Sequence, residues 1–279
     1  MKRIISVGDL HSGSIYGMLP PNFIQYDGTH KPQNPGQSYT WRCWEHFCNW
    51  AARFEPDAVE VGGDCVEGPQ KKSYGFEVDL HSPDDQVQAA VGTLQYLKDR
   101  LNFNVRWFFI KGTPYHVGHW GSAEEAVAKA LGGEQYAGGG TGKYCKQVLW
   151  LETEGIVIEF AHHVGGASGF YRLTALDRES QWSAMAAKDT SKGIPKADLL
   201  IRHHVHFFGG GEHASKQIYT APCWKLADEY SRKGGVHRFH PDLGGILIEV
   251  EGERKKEGQQ PCRVIKQLYD LPAVKTVTL

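Results

Sequence analysis

Aspartate and histidine recur directly after short apolar segments of this sequence, and both side chains bind metal ions. In chain order the groups are Asp9 with His11, Asp64, Thr113 with His116, His162 with His163, and His203 to His206 with Val205 between. Carboxylate oxygen combined with imidazole nitrogen suits first-row ions such as Mn²⁺, Fe²⁺ or Zn²⁺, whereas Ca²⁺ prefers oxygen alone. The pattern therefore predicts a site for divalent cations.

The spacing inside two of these groups favours a shared centre. Asp9 and His11 are two residues apart, and so are His204 and His206. Side chains two apart in an extended segment point the same way, so each pair can reach one ion. The Asp64 carboxylate has two oxygens and can bridge two ions. A single Asp after a strand is more often a turn or capping residue, so the prediction depends on the joint pattern.

Short β-branched or aromatic runs predict the strands that would position these groups. The runs span residues 3–7, 58–61, 105–110, 156–161 and 198–201, and the predicted helices span 38–54, 83–101, 122–131 and 172–188. Strands alternating with helices predict an α/β fold. In an open α/β sheet the carboxyl ends of the strands line one crevice. The five groups are therefore expected to meet there.

The last quarter of the chain has a different pattern. Residues 219–223, 246–251 and 262–269 are predicted to be strands, the last two joined by a charged turn. We expect antiparallel strands that complete a second sheet. Because no repeat or low-complexity linker is visible, a single domain is expected over 1–279, with the metal motifs in 1–206 and the second sheet completed by 207–279.

Composition narrows the class of protein. The 279 residues carry 31 Lys and Arg against 32 Asp and Glu, a formal charge of −1. This balance argues against a surface that coats polyanions in general. The apolar stretch near the N-terminus is too short for a signal peptide, and no window approaches the roughly 20 apolar residues of a membrane span. A soluble, cytoplasmic protein without a membrane partner is expected.

The order of these motifs resembles the calcineurin-like metallophosphoesterase family. The matching pieces are Asp9-Leu10-His11, Gly63-Asp64, Gly112 onward, His162 and His204-Val205-His206, over roughly residues 4–206. The resemblance implies a four-layer α/β/β/α sandwich with mixed sheets and two divalent metal ions. It also implies that Asp9, His11 and His206 bind the first metal, that Asp64 bridges, and that His162 and His204 bind the second.

The third, fourth and fifth motifs depart from the family pattern or leave a choice open. The third is usually Gly-Asn-His, but here Thr113 follows Gly112, and its hydroxyl is a weaker ligand for the second metal than an Asn amide oxygen. The histidine is displaced by two positions to His116, and His119 is another candidate. The fifth motif usually begins with Gly, where this chain has His203. Either His162 or His163 can be the fourth-motif ligand; His162 is preferred because it directly follows the apolar run.

The site predicts a dinuclear-metal-dependent phosphoester hydrolase, with a phosphodiesterase favoured and a nuclease as one candidate. A hydroxide activated between the two cations would attack phosphorus, and His116 would protonate the leaving group or stabilise the oxyanion. Nucleic acid or a nucleotide is a candidate substrate, and the sequence assigns no substrate-binding residue. A phosphomonoesterase and a non-catalytic metal-binding protein derived from this fold are the alternatives. An amidohydrolase fits less well because it would need a barrel of eight βα units.

Overall fold

Two mixed β-sheets lie face to face in the computed structural model of this chain. The structure describes residues 1–70, 74–118, 121–136, 143–164, 172–213, 216–229, 231 and 240–273. In the described residues the first sheet has six strands in the order β13-β12-β1-β4-β5-β6. These are β1 (Lys2–Val7), β4 (Ala58–Val61), β5 (Arg106–Ile110), β6 (Cys145–Lys146), β12 (Leu243–Val250) and β13 (Cys262–Tyr269). Strands β1, β4, β5 and β6 run parallel, β12 pairs antiparallel with β1, and β13 pairs antiparallel with β12.

The second sheet is built mainly from the middle of the chain. Over the same described ranges it has five strands in the order β10-β11-β9-β8-β7. These are β7 (Val148–Thr153), β8 (Ile156–Ala161), β9 (Leu199–Arg202), β10 (Gly209–His213) and β11 (Lys216–Thr220). Strands β8, β9 and β11 run parallel, and β7 and β10 are antiparallel edges. A short hairpin, β2 (Phe23–Ile24) and β3 (His30–Lys31), stands apart from both sheets.

Local capping chemistry places the starts of α1 (Pro35–Ala52) and α2 (Pro83–Lys98). The other helices of the described residues are α3 (Pro114–Val117), α4 (Ser122–Ala130), α5 (Arg172–Lys188) and α6 (Gly252–Lys256), with a 3₁₀ turn at Thr190–Lys192. Asn34 caps α1 by accepting from the backbone N–H of Gln37, whose side chain accepts from Asn34 in return. Proline at the first position of α1 and α2 has the φ value that a helix needs.

Apolar side chains define the order of the layers. Between the sheets, Ile4, Phe108 and Ile248 of the first pack in one buried cluster with Phe160 and Ile201 of the second. In a second cluster, side chains of α1, α2 and α4 pack on the outer face of the first sheet. In a third cluster, side chains of α5 pack on the outer face of the second sheet. This confirms the predicted four-layer α/β/β/α sandwich with mixed sheets.

The predicted position of the C-terminal strands is wrong. Strand β12 pairs antiparallel with β1, placing Ile248 opposite Ile4, and β13 pairs with β12, so both extend the first sheet. Residues Leu243–Val250 are buried at nearly every position, as a central strand between two layers must be. Of the three predicted C-terminal strands only the first, observed as β11, joins the second sheet, whose core is β8 and β9. Across the described ranges, no helix is long and apolar enough to cross a bilayer.

Candidate metal centre

The carboxyl ends of parallel strands from both sheets meet in one polar cluster. Asp9 and His11 follow β1, and Asp64 follows β4 in the first sheet, whereas His162 follows β8, and His204 and His206 follow β9 in the second. Their ligand atoms form three overlapping groups, each with all atoms within 4.8 Å of one another. The groups are Asp9–His11–His206, His11–Asp64–His116 and Asp64–His162–His204. The structure thus brings together the Asp and His residues that the sequence selected.

The first group is compact and almost closed to solvent. His206 Nε2 lies 3.2 Å from Asp9 Oδ1 and 3.2 Å from His11 Nε2. His11 Nε2 is 3.8 Å from the same Asp9 oxygen. Asp9 and His11 are buried and His206 is half-buried, so one side of this group faces solvent. One carboxylate oxygen and two imidazole nitrogens therefore lie close enough together to coordinate a single cation.

The group of Asp64, His162 and His204 centres on the Asp64 carboxylate. His162 Nε2 lies 3.1 Å from Asp64 Oδ2, and the rings of His162 and His204 are 5.1 Å apart. Thr113 precedes the first residue of α3 and contacts the same carboxylate, its backbone N–H donating to Oδ1 at 2.7 Å. Thr113 Oγ1 lies 3.0 Å from Oδ1 and 3.1 Å from Oδ2. The altered third motif therefore still reaches the centre, through Asp64.

Helix α3 brings His116 to the junction of the two groups. The His116 ring is 4.6 Å from the His11 ring, edge to face. Its Nδ1 lies 2.6 Å from the carbonyl oxygen of Glu67, which leaves Nε2 for the cluster. His163, in contrast, is exposed and belongs to none of the three groups in the described residues, so the geometry favours His162. His119 lies outside the described residues.

Contacts behind the ligands fix the orientation of their rings. His11 Nδ1 lies 2.7 Å from Glu67 Oε2, and His162 Nδ1 lies 2.7 Å from the carbonyl oxygen of Gly62. In both rings this directs Nε2 to the centre, an arrangement that commonly supports metal-binding histidines. Lys225, buried, lies 3.2 Å from the other Glu67 oxygen. Sequence reasoning missed Glu67 and Lys225, because neither residue carries a local signal for a contact so far along the chain.

The backbone at the centre is strained. Five of the candidate ligands have positive φ: Asp9 at 51°, His11 at 46°, Asp64 at 46°, His204 at 73° and His206 at 59°. Residues other than glycine rarely adopt this left-handed conformation, and it concentrates at functional sites. Gly112 lets the third-motif backbone approach closely, since a Cβ there would lie 2.2 Å from Asp64 Oδ1. The turns are thus shaped to aim side chains inward.

The carboxylates at the centre are ionised. Burial alone would raise the pKa of Asp64, but the charge of His162 and its hydrogen bond hold it well below the ordinary value. Burial would also raise the pKa of Asp9, but the charge of His206, its hydrogen bond and the charge of His162 together hold that pKa below its ordinary range. The negative charges are therefore present at neutral pH and are balanced by imidazolium groups when no cation is bound.

Two of the histidines favour the neutral form that binds metals. Burial, followed by the charge of Lys225, lowers the pKa of His11 to about 4. Burial, followed by the charge of His162, lowers the pKa of His204 to about 4. Burial alone would lower the pKa of His162, but the charge of Asp64, its hydrogen bond and the charge of Asp9 together outweigh burial and raise the pKa to about 9.

Two buried atoms at the centre lack a hydrogen-bond partner. Asp9 Oδ1 and His162 Nε2 are both in this state, although each lies at ion-pair distance from an oppositely charged group. Buried polar atoms without a partner are uncommon, and a metal ion is one accepted reason for them. One is a carboxylate oxygen and the other an imidazole nitrogen, so the residues present fit a pair of divalent cations.

Comparisons with known proteins give likeness of structure only. No family model matches the chain, and no curated protein matches it. Vps29 from Entamoeba histolytica in complex with Zn²⁺ is similar at 13% identity and a TM-score of 0.39, covering 95% of this chain and 98% of that one. Vps29 from Chaetomium thermophilum gives 12% and 0.43, with 98% of each chain covered. An archaeal phosphodiesterase gives 10% and 0.43, with 95% and 99% covered.

Because the identities and TM-scores are this low, no function is transferred from these proteins to this chain. The four layers agree with the resemblance to the calcineurin-like metallophosphoesterases. So does the arrangement of Asp9, Asp64 and His206 at strand ends. The fold of this chain is therefore the one that the resemblance implies.

Proposed function

We propose that the chain is a phosphoester hydrolase that depends on two divalent cations. The observation that carries the proposal is the convergence of three overlapping Asp and His groups at the ends of strands from both sheets. Asp64 belongs to two of the groups, and a shared carboxylate is what two adjacent cations require. Mn²⁺, Fe²⁺ and Zn²⁺ are the ions that this mixture of oxygen and nitrogen donors suits.

Each ligand has a defined place in the proposal. Asp9, His11 and His206 would hold the first cation, and Asp64 would be shared by both. His162, His204 and the hydroxyl of Thr113 would hold the second. Bound cations would supply positive charge to a phosphoryl group and bring the pKa of a coordinated water toward neutrality. Because their lowered pKa values keep His11 and His204 neutral, neither ring would repel a cation.

His116 is the proposed proton donor. Its Nδ1 contacts the carbonyl oxygen of Glu67, an acceptor only, so Nδ1 carries a hydrogen and Nε2 can donate only when the ring is charged. The ring is half-buried, next to His11 and Asp64, where the phosphoester would lie. From this position it can protonate the leaving oxygen or stabilise developing negative charge.

The favoured substrate is a phosphodiester, with nucleic acid or a nucleotide as candidates. An active site with one proton donor and no covalent nucleophile serves monoesters and diesters alike, so the substrate must be measured. A panel of bis-p-nitrophenyl phosphate, p-nitrophenyl phosphate, and single-stranded and duplex DNA with Mn²⁺ separates diesterase, monoesterase and nuclease.

Asp64→Asn tests the proposal. Because this variant removes the negative charge shared by both sites, it is expected to abolish metal-dependent hydrolysis of every substrate in that panel that the wild-type protein hydrolyses. Elemental analysis of the freshly purified protein measures the metal content in parallel. Asp84→Asn, at an exposed acid in the first turn of α2, is the matched control and should retain wild-type turnover. An unchanged rate for Asp64→Asn would refute the assignment, whereas tightly bound metal without any hydrolysis would favour a non-catalytic metal-binding protein.

A further inference from the structure

A fully buried histidine that the proposed ligand sets do not use lies directly behind Asp9. His203 is one residue beyond β9, and its side chain is 0% exposed. Its Nε2 lies 3.2 Å from Glu60 Oε2 of β4 and 3.4 Å from Ser6 Oγ of β1. A side chain of the second sheet therefore reaches into two strands of the first.

The first sheet leaves room for this ring. A Cβ on Gly62 would lie 2.1 Å from His203 Nε2, and a Cβ on Gly8 would lie 2.6 Å from His203 Nδ1. Both glycines stand one residue beyond the ends of their strands. The His203 imidazole thus fills a space that a residue with a Cβ at position 8 or 62 would occupy.

The other edge of the ring faces Asp9. His203 Nδ1 is 3.7 Å from Asp9 Oδ2, and the backbone N–H of the next residue, His204, donates to the same oxygen at 3.2 Å. Asp9 Oδ1 is turned the other way, to His206 and His11. One carboxylate oxygen is thus held by the second sheet while the other is presented to the first cation.

Glu60 sets the orientation of the ring. Ser6 Oγ donates to Glu60 Oε2 at 2.5 Å, and the same oxygen accepts from His203 Nε2. Glu60 Oε1 and His203 Nδ1 are buried without hydrogen-bond partners. Buried polar atoms left in this way cost stability, so a group that serves packing alone would be apolar.

We propose that His203, oriented by Glu60, is a positioning residue that ties the two sheets together and sets the Asp9 carboxylate for the first cation. Because the first cation takes Asp9 and His11 from one sheet and His206 from the other, its geometry depends on how the sheets are placed at this point. The inference rests on the proposed metal site, but its test does not need turnover.

Binding of Co²⁺ to chelator-treated protein, followed by visible absorption, is the experiment. His206→Ala and His204→Ala assign the two binding phases to the first and second sites. His203→Ala and Glu60→Leu are expected to weaken the first phase by about 10- to 100-fold, the usual effect of removing a contact behind a metal ligand. Glu60→Gln keeps an oxygen acceptor for His203 Nε2 and should recover most of the affinity. The second phase should stay near wild type throughout.

Gln217→Leu is the matched control. Gln217 is also fully buried and also links the sheets, accepting from the backbone N–H of Cys262 and donating to its carbonyl oxygen. It pairs with Leu199, at the start of β9 and away from the metal centre. This variant should lower the melting temperature and leave both Co²⁺ phases unchanged.

Three results would overturn the inference. One is a first-phase affinity for Co²⁺ that equals that of the wild type in both His203→Ala and Glu60→Leu. Another is an equal loss of Co²⁺ affinity in both phases in these two variants and in Gln217→Leu. Absence of Co²⁺ binding by the wild-type protein would overturn this inference and the proposed function together. Wild-type protein that binds two Co²⁺ ions but hydrolyses no phosphoester would refute only the proposed function, with the selective loss of the first phase still supporting the role of His203.

Discussion

Replacing Thr113 with valine tests the least conventional part of the proposed site. Valine keeps the shape of the side chain and the backbone N–H that donates to Asp64 at 2.7 Å, but it removes the hydroxyl that lies 3.0 and 3.1 Å from the two carboxylate oxygens. A hydrogen bond to a charged group contributes about 1.5–3 kcal/mol. Since about 1.4 kcal/mol is tenfold in affinity, the second cation should bind roughly 10- to 100-fold more weakly.

Calorimetric titration of chelator-treated protein with Mn²⁺ measures this effect for both sites. Thr113→Ser keeps the hydroxyl and should bind like the wild type. Thr113→Asn introduces an amide oxygen, a better ligand, and should bind the second cation more tightly than the wild type if Thr113 coordinates it directly. Wild-type affinity and turnover in Thr113→Val would refute the reasoning, and an Asn variant no better than the Val variant would limit Thr113 to orienting Asp64.

The remaining predictions concern proton transfer, pH and metal removal. His116→Ala should lower kcat by about 10²- to 10⁴-fold for a diester with a poor leaving group and much less for a p-nitrophenyl ester, while His163→Ala, at an exposed neighbour of the site, should lower neither. Burial, followed by the charge of Asp64, raises the pKa of Glu124 from 4.5 to about 8. The folded protein therefore keeps a proton that the unfolded chain releases, so this stabilisation is complete below pH 4.5 and is lost as the pH rises through about 8. Glu124→Gln should flatten the fall in melting temperature of metal-free protein over that window, and an identical pH profile in variant and wild type would contradict the shift. Adding Mn²⁺ to the metal-free protein at about 100 times its dissociation constant should raise the free energy of unfolding by about 2.7 kcal/mol for each occupied site, measured by denaturant titration, and a chelator should reverse it.

Local sequence predicted the strands that end at the site better than it predicted their partners. The bounds of β4, β8 and β13 agree with the predicted segments, because β-branched and apolar residues there are bracketed by turn residues. Strand β7 was missed, since it lies at an edge and only Leu149 along it is buried. The sheet that β12 joins depends on its pairing with β1, which lies 240 or more positions away in the chain for every partner. Strand β13 follows into the same sheet because it pairs with β12.

The candidate ligands were predictable because each follows a strand, and strand ends converge whatever their distance in sequence. Glu67, Lys225 and Glu60 were not, since each acts through a contact with a residue far along the chain. Glu67 meets His11 across 56 positions and Lys225 across 158, while Glu60 meets His203 across 143. Only the folded arrangement shows which of many buried polar residues stands behind a ligand.

The left-handed turns explain why the centre is more than a by-product of strand geometry. Each costs about 1–2 kcal/mol relative to an ordinary conformation, and glycine would adopt the same turn without that cost. Glycine does stand immediately before two of them, at Gly8 and Gly63, yet the strained positions themselves hold Asp9 and Asp64. Since typical folded proteins are stable by only about 5–15 kcal/mol, five such turns in one place must be offset by other interactions. The two packed sheets supply part of this, and cations drawn to the inward-facing side chains would supply the rest.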